Sequence, residues 1–173
     1  MAEEIINRVA NSNLVVVDLE DFYPKGQRTL IDIKDWLWEG LVLREKEFRD
    51  YVSLHDWAQY QDHFVALTCS TDAIVPAWAY MLLTMHLEPF AKHIIIGDLE
   101  QLETTIYQDI ISNLDIETYK DKPLIIKGCS NKPVPANAYI LLSKKLKPVA
   151  KSIMYGEACS SVPLFKKSKI KNL

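Results

Sequence analysis

Three stretches of the chain begin with Cys-Ser and run on to Val-Pro. They are Cys69-Ser70-Thr71-Asp72-Ala73-Ile74-Val75-Pro76, Cys129-Ser130-Asn131-Lys132-Pro133-Val134-Pro135 and Cys159-Ser160-Ser161-Val162-Pro163, and they contain all three cysteines. Thiolates suit zinc, copper(I) and iron–sulfur clusters. Three protein ligands with one open position are the pattern of a reactive metal site rather than a closed structural one. Cys69, Cys129 and Cys159 are therefore the candidate ligands, and zinc or an iron–sulfur cluster is the candidate cofactor. Asp98, Glu157 or a histidine is the candidate fourth ligand. The spacing is not a CxxC pattern, so the argument rests on recurrence.

Other chemistry fits the same residues. A cysteine near a helix N-terminus is biased toward the thiolate and can carry sulfur or act as a nucleophile in a metal-free transfer enzyme. No base accompanies it in both copies, because His86 and His93 align with Lys145 and Ser152. Loops that feed helices can also present N–H groups to an anion, which makes Ser70, Ser130 and Ser160 candidate ligand-loop residues. Neither a Walker nor a Rossmann motif is present, and Gly128 alone precedes a cysteine. Finally, the cysteines can be small buried hydrophobes at tight turns. In that case the chain is a non-catalytic interaction protein, and its Trp-rich N-terminal region is the place for a partner.

The cysteines recur because a longer segment recurs. A shift of 59 residues brings Pro76 onto Pro135 and keeps more than half of the residues identical as far as Gly97 and Gly156. Tyr80 falls on Tyr139, Leu83 on Leu142 and Lys92 on Lys151. Each copy reads as strand, Cys-Ser loop, helix, strand, glycine. Short β-branched runs predict strands at 64–68, 92–96, 123–127 and 151–155. Helices are expected between them from Pro76 to Leu87, from Asp98 to Asn113 and from Val134 to Leu146, each bounded by Pro, Gly or an acidic first turn. Alternation of this kind predicts an α/β fold with a mostly parallel sheet, an internal duplication of a β-Cys-Ser-loop-α-β unit, and an N-terminal extension of mixed α and β structure. The expected divisions are 1–60 for the extension, 61–118 and 119–163 for the two copies, and 164–173 for a basic tail, all in a single domain.

Within the extension, Leu14 to Leu19 reads as a strand, Leu30 to Ile33 as a weaker one, and Leu43 to Leu54 as a helix. Trp36, Trp38 and Trp57 flank that helix and are expected to be the large core residues of a small subdomain. If the four later strands share one sheet, with the second placed outside the first and the third beside it, Cys69 and Cys129 leave neighbouring strands. Neighbours about 4.8 Å apart place two thiolates within easy reach of one metal. Cys159 lies just past the last strand and can span back to the same point.

Composition sets the frame. With 173 residues, about half of them apolar, and a net charge of −3, the chain resembles a soluble globular protein with no field favouring nucleic acid or membrane. No apolar run reaches the roughly 20 residues of a membrane helix. Met1-Ala2-Glu3-Glu4 is acidic where a signal peptide is basic, which points to the cytoplasm, where structural disulfides are not expected.

Taken together, Asp35-Trp36-Leu37-Trp38-Glu39-Gly40, His55-Asp56-Trp57-Ala58-Gln59-Tyr60-Gln61-Asp62, Cys69-Ser70, Lys127-Gly128-Cys129-Ser130-Asn131-Lys132-Pro133-Val134-Pro135 and Gly156-Glu157-Ala158-Cys159-Ser160 carry a resemblance over nearly the whole length. The chain resembles an uncharacterised bacterial family classed as a domain of unknown function. The resemblance brings no activity, cofactor or catalytic residue. It implies iron–sulfur assembly proteins as possible partners, and so favours iron, sulfur or zinc handling over a hydrolase.

Overall fold

A computed structural model of the chain describes residues 13–128, 131–157 and 159–168. Seven strands and four helices alternate in it: β1 Val15–Asp18, β2 Arg28–Asp32, α1 Glu45–Leu54, β3 Phe64–Thr68, α2 Ala77–Leu87, β4 His93–Ile96, α3 Leu99–Ser112, β5 Pro123–Lys127, α4 Ala136–Leu146, β6 Ser152–Glu157 and β7 Ser160–Lys166. The fold is mixed α/β, and its strands are mostly parallel, as the alternation predicts.

Local sequence explains the element ends. Pro76 and Pro135 sit at matching helix starts with φ near −69° and extended ψ, a conformation a proline ring holds without cost. The turns into β3 and β5 pass through Asp62 and Asp121 at φ of 63° and 55°, a left-handed region that Asp tolerates better than most residues. Their N–H groups donate to the carbonyls of Phe90 and Val149, each at 2.8 Å. β4 ends at Gly97 with φ of 148°, where a side chain would be strained.

The sheet arrangement differs from the single sheet anticipated. Strands β2-β3-β4 form a parallel sheet, and β1-β5-β6-β7 form a second sheet that is parallel except for β7. The physical reason is edge occupancy. A strand has two hydrogen-bonding edges, and both edges of β3 are taken, by β2 and β4. Both edges of β5 are likewise taken, by β1 and β6. The N-terminal segment thus supplies one outer strand to each sheet, and β3 and β5 cannot be neighbours.

Two compact units follow from this, one of Pro24–Ile106 and one of Met1–Tyr23 with Tyr107–Leu173, the division falling within α3. In the first-named unit, Ile31, Phe48, Val52, Val65, Leu67, Leu83 and Leu87 form the core. In the other, Val17, Leu19, Tyr107, Leu124, Ile126, Leu142 and Leu146 do so. Tyr107 is fully buried, and its hydroxyl is satisfied by donating to the Leu19 carbonyl at 2.9 Å.

After β6 the chain turns at Cys159 into β7, and the two strands pair antiparallel from Glu157↔Ser160 to Ser152↔Lys166. Leu164, Phe165 and Lys166 lie in β7. Lys169 and Lys171 lie outside the described residues.

Candidate functional site

In parallel α/β sheets ligands gather at the carboxyl ends of the strands. In the unit Pro24–Ile106 this edge carries Asp32 at the end of β2, the Cys69–Val75 loop after β3, and Gly97-Asp98 after β4. Asp32 is the organising residue. Its Oδ1 accepts the N–H of Lys34 at 3.1 Å and so caps the 3-10 turn Ile33–Trp36. The same oxygen accepts the Ser70 N–H at 3.1 Å. Burial alone would raise the Asp32 carboxyl. Hydrogen bonds from the Ser70 hydroxyl and from the Lys34 and Ser70 backbone, with the Lys34 ammonium nearby, outweigh burial and hold it below its ordinary value. The anion gathered by this loop's N–H group is therefore the chain's own carboxylate.

Cys69 is half-buried against the core of the same unit. Its thiol bonds within its own loop, to the Thr71 carbonyl at 3.8 Å and the Thr71 hydroxyl at 3.5 Å. The Thr71 hydroxyl in turn donates to the Gly40 carbonyl at 2.7 Å. Tyr80, on α2, stands over this edge. Burial pushes its phenol above the ordinary value, and Cys69 and Asp32 push the same way.

The matching edge of the other unit uses the same devices. Asp18 ends β1, and its Oδ1 accepts the Glu20 N–H at 3.0 Å, capping Leu19–Phe22. Asp18 also pairs with Lys127 at 3.2 Å. The Asn131 N–H donates to Glu20 Oε1 at 3.0 Å. Tyr139, the counterpart of Tyr80, places its hydroxyl where a side chain on Gly128 would have to go.

The described residues do not form the thiolate metal site expected from the sequence. Among the described residues, no group of three His, Cys, Asp or Glu side chains is placed to hold a metal ion. Cys69 follows β3 in one sheet, and Cys159 is an exposed residue in the β6–β7 turn of the other. The strand adjacency that would join the Cys-Ser loops is absent. Cys129 and Ser130 lie outside the described residues. Glu157 sits at the end of β6, 4.0 Å from Lys127. Ser160 is exposed in β7.

Asp98 has a structural task instead. Its Oδ1 accepts the Gln101 N–H at 2.8 Å, while the Gln101 side chain accepts the Asp98 N–H at 3.0 Å. This is a reciprocal capping box at the start of α3. Asp98→Ala is expected to cost about 1 kcal/mol in urea unfolding, and Asp98→Asn or Asp98→Ser to restore most of it. Loss of a metal ligand would spare neither replacement.

The tryptophans divide. Trp57 is buried, and its indole donates to the Val52 carbonyl at 2.9 Å. Trp36 packs against Phe48, His55 and Trp57. Trp38 instead lies on the surface. Its backbone exchanges hydrogen bonds with Val42 at 2.9 and 3.1 Å, closing a tight loop through Glu39 and Gly40, both at positive φ. The Arg44 guanidinium covers the Trp38 ring at 3.8 Å. Trp38, Leu41 and Val42 are 40%, 55% and 49% exposed, and Ile74 on the neighbouring loop is 93% exposed.

His55 links this aromatic cluster to pH. Burial lowers its pKa from 6.5, and Asp56 opposes that only in part. A neutral ring accepts the Tyr60 hydroxyl at Nε2, 2.8 Å away. The unfolded chain takes up a proton at His55 below about pH 6.5, and the folded chain resists it until lower pH. The stabilisation is present above that value and is lost as pH falls through the lower folded pKa. The urea midpoint is expected to drop between pH 7.5 and pH 5, and the drop to be smaller in His55→Gln.

Trp38 is conspicuous in the sequence as one of three neighbouring tryptophans, whereas Asp18 and Asp32 are not. A signal for the aspartates was present: Val17-Asp18-Leu19-Glu20-Asp21-Phe22 parallels Ile31-Asp32-Ile33-Lys34-Asp35-Trp36.

These features define an α/β protein of two units with mostly parallel sheets, each with a carboxylate-tied loop at its carboxyl edge. The chain belongs to the family described as protein of unknown function (DUF2480), whose model matches residues 3–167. No curated protein and no solved structure matches it. No helix among the described residues is long and apolar enough to cross a membrane.

Proposed function

We propose that this chain is a binding protein whose contact surface is the Trp38–Val42 loop together with Ile74, and in which Cys69 is structural. The observation that carries this reading is a rigid loop with its apolar side chains turned outward. Exposed apolar surface costs roughly 25 cal/mol per Å² against burial, so a cluster of it marks a contact surface. The loop is pinned by its cross-loop bonds, by the Thr71–Gly40 bond and by Arg44 over Trp38. Pinning in advance reduces the entropy lost when a partner docks. Trp and Arg are also the residue types that dominate interface energies. Cys69 supports the structural part of the reading, because its side chain is committed to the core and to Thr71.

Site-specific photo-crosslinking tests the proposal. A benzophenone amino acid at position 41, in cells that make the protein, is expected to give a discrete adduct that Trp38→Ala abolishes. The same probe at Leu54, which is 85% exposed on α1, serves as control. Identical adducts from both positions would refute the assignment.

A further inference from the structure

The repeat keeps its packing residues and changes its charge. Residues 75–92 and 134–151 are matching stretches that carry α2 and α4. Leu83 and Leu87 fall on Leu142 and Leu146, all fully buried. Outside the core, Met85, His86 and Glu88 fall on Lys144, Lys145 and Lys147. The first stretch sets one carboxylate, Glu88, against one lysine, Lys92, whereas the second has four lysines and no carboxylate. This is a concentration of positive charge in a chain of net charge −3. At about 100° per residue, Lys144 stands at a crest of α4, with Ser143 and Lys147 to one side and Leu141 and Lys145 to the other. Two apolar grooves of about 400 Å³ each flank the crest, and Lys144 lines both. One is lined by Ile153, Leu164 and Phe165, with Lys147 at its rim and that ammonium 5.8 Å from the centre of the Phe165 ring. The other is lined by Ile111, Ile116 and Leu141, with Lys145 at its rim, donating to the Ser112 carbonyl at 2.6 Å. All of these residues belong to the unit that contains Tyr107–Leu173.

We propose that this face of α4 binds an acidic amphipathic helix of a partner protein, with one large apolar side chain in each groove and a carboxylate pair over Lys144 and Lys147. Charge complementarity selects this occupant, because lysines at the rims of both grooves attract an anionic partner and repel a basic one. The grooves call for apolar anchors, which a small anion lacks. The spacing suits a helix laid across the crest. The grooves are separated by α4, and a helix with its side chains is about 10–12 Å across. Residues seven apart on a partner helix share a face and lie about 10.5 Å apart. Leu or Phe at i and i+7 therefore reaches both grooves, with Glu at i+3 and i+4 between them. The Trp38 loop belongs to the other unit, and the proposal stands without it.

The test uses the full chain and a fluorescein-labelled helical peptide of alanine and glutamine, with two leucines seven positions apart and a glutamate pair midway. Anisotropy is expected to rise on binding, with amide shift changes at residues 141–148 and 164–165. Lys144→Glu is expected to weaken binding about tenfold or more and to flatten its salt dependence. Leu164→Ser leaves the charge intact and is expected to weaken binding severalfold. Leu164 is 56% exposed, so the fold should survive that change. Trp38→Ala is expected to leave binding unchanged. No rise with the parent chain would overturn the proposal, and so would equal binding to Lys144→Glu. Equal binding of a peptide with alanine for both leucines would also overturn it, since only charge attraction would remain. Tighter binding of phosphatidylserine vesicles or of a DNA duplex, displacing the peptide, would assign the lysines to a phosphate surface instead. A rise only in a variant ending at Ser168 would assign the grooves to the chain's own following residues and overturn it as well.

Discussion

Arg28→Ala is expected to destabilise the unit Pro24–Ile106 by about 3–5 kcal/mol, the cost typical of removing one member of a buried ion pair. Arg28 Nε donates to Glu103 Oε1 at 2.6 Å, and Nη2 to Oε2 at 3.3 Å. Its Nη1 donates to the carbonyls of Pro24 and Gly26 at 2.8 and 2.7 Å. The guanidinium also lies 4.7 Å from the centre of the Phe64 ring. The two charged side chains are only 11% and 8% exposed. Alanine would leave a buried carboxylate without its partner and two carbonyls without a donor. Arg28→Lys keeps the charge but loses the planar fork, so it should recover only part of the loss. Urea unfolding monitored by tryptophan fluorescence measures both, because Trp36, Trp38, Trp57 and Trp78 all lie in this unit. A change below about 1 kcal/mol for Arg28→Ala would mean that the pair contributes no more than a surface bridge.

Leu83→Ala and Leu142→Ala should be comparably damaging, at about 2–5 kcal/mol each. The two leucines occupy matching positions on α2 and α4 and are fully buried. Each fills a different core. Leu83 sits with Val65, Leu67, Ala79 and Leu87, and Leu142 with Leu124, Ile126, Ala138 and Leu146. Hydrogen exchange separates the effects. Leu83→Ala is expected to lower protection chiefly in β3 and α2, and Leu142→Ala chiefly in β5 and α4. Equal loss of protection in both sheets from either substitution would show that the two cores behave as one.

Much of the secondary structure could be read from local sequence. Pro76, Pro135 and Gly97 mark element ends because their backbone preferences leave few alternatives. The runs Phe64–Leu67 and Leu124–Ile126 are apolar because both faces of a central parallel strand are buried. Strand pairing was not legible in this way. β1 and β2 follow each other in sequence yet belong to different sheets, β1 beside β5 and β2 beside β3. A scan at one fixed offset matches β3-α2-β4 with β5-α4-β6 and misses the outer strands, whose spacing to their partners differs.

The cysteines misled for a related reason. A repeated residue at a repeated turn is conspicuous, but Cys69 is a small side chain packed against the core of its own unit. Cys159 looks like a third case in sequence, yet it stands in a hairpin turn. Asp98 resembled a ligand because acidic residues suit both metals and helix starts, and Gln101 three residues later decides for the helix. Trp38 resembled Trp36 and Trp57. Only the positive φ angles at Glu39 and Gly40, which turn the chain back on itself, place it on the surface.

The central claim is that the chain works through an apolar surface and not through its thiols. The most direct test combines the crosslinker at position 41 with a cysteine-free chain, Cys69→Ala, Cys129→Ser and Cys159→Ser. The account predicts that this chain, once its fold is verified by circular dichroism, yields the same adduct as the parent. It also predicts that Trp38→Ala with all cysteines intact does not. An adduct lost with the cysteines and kept without Trp38 would contradict it.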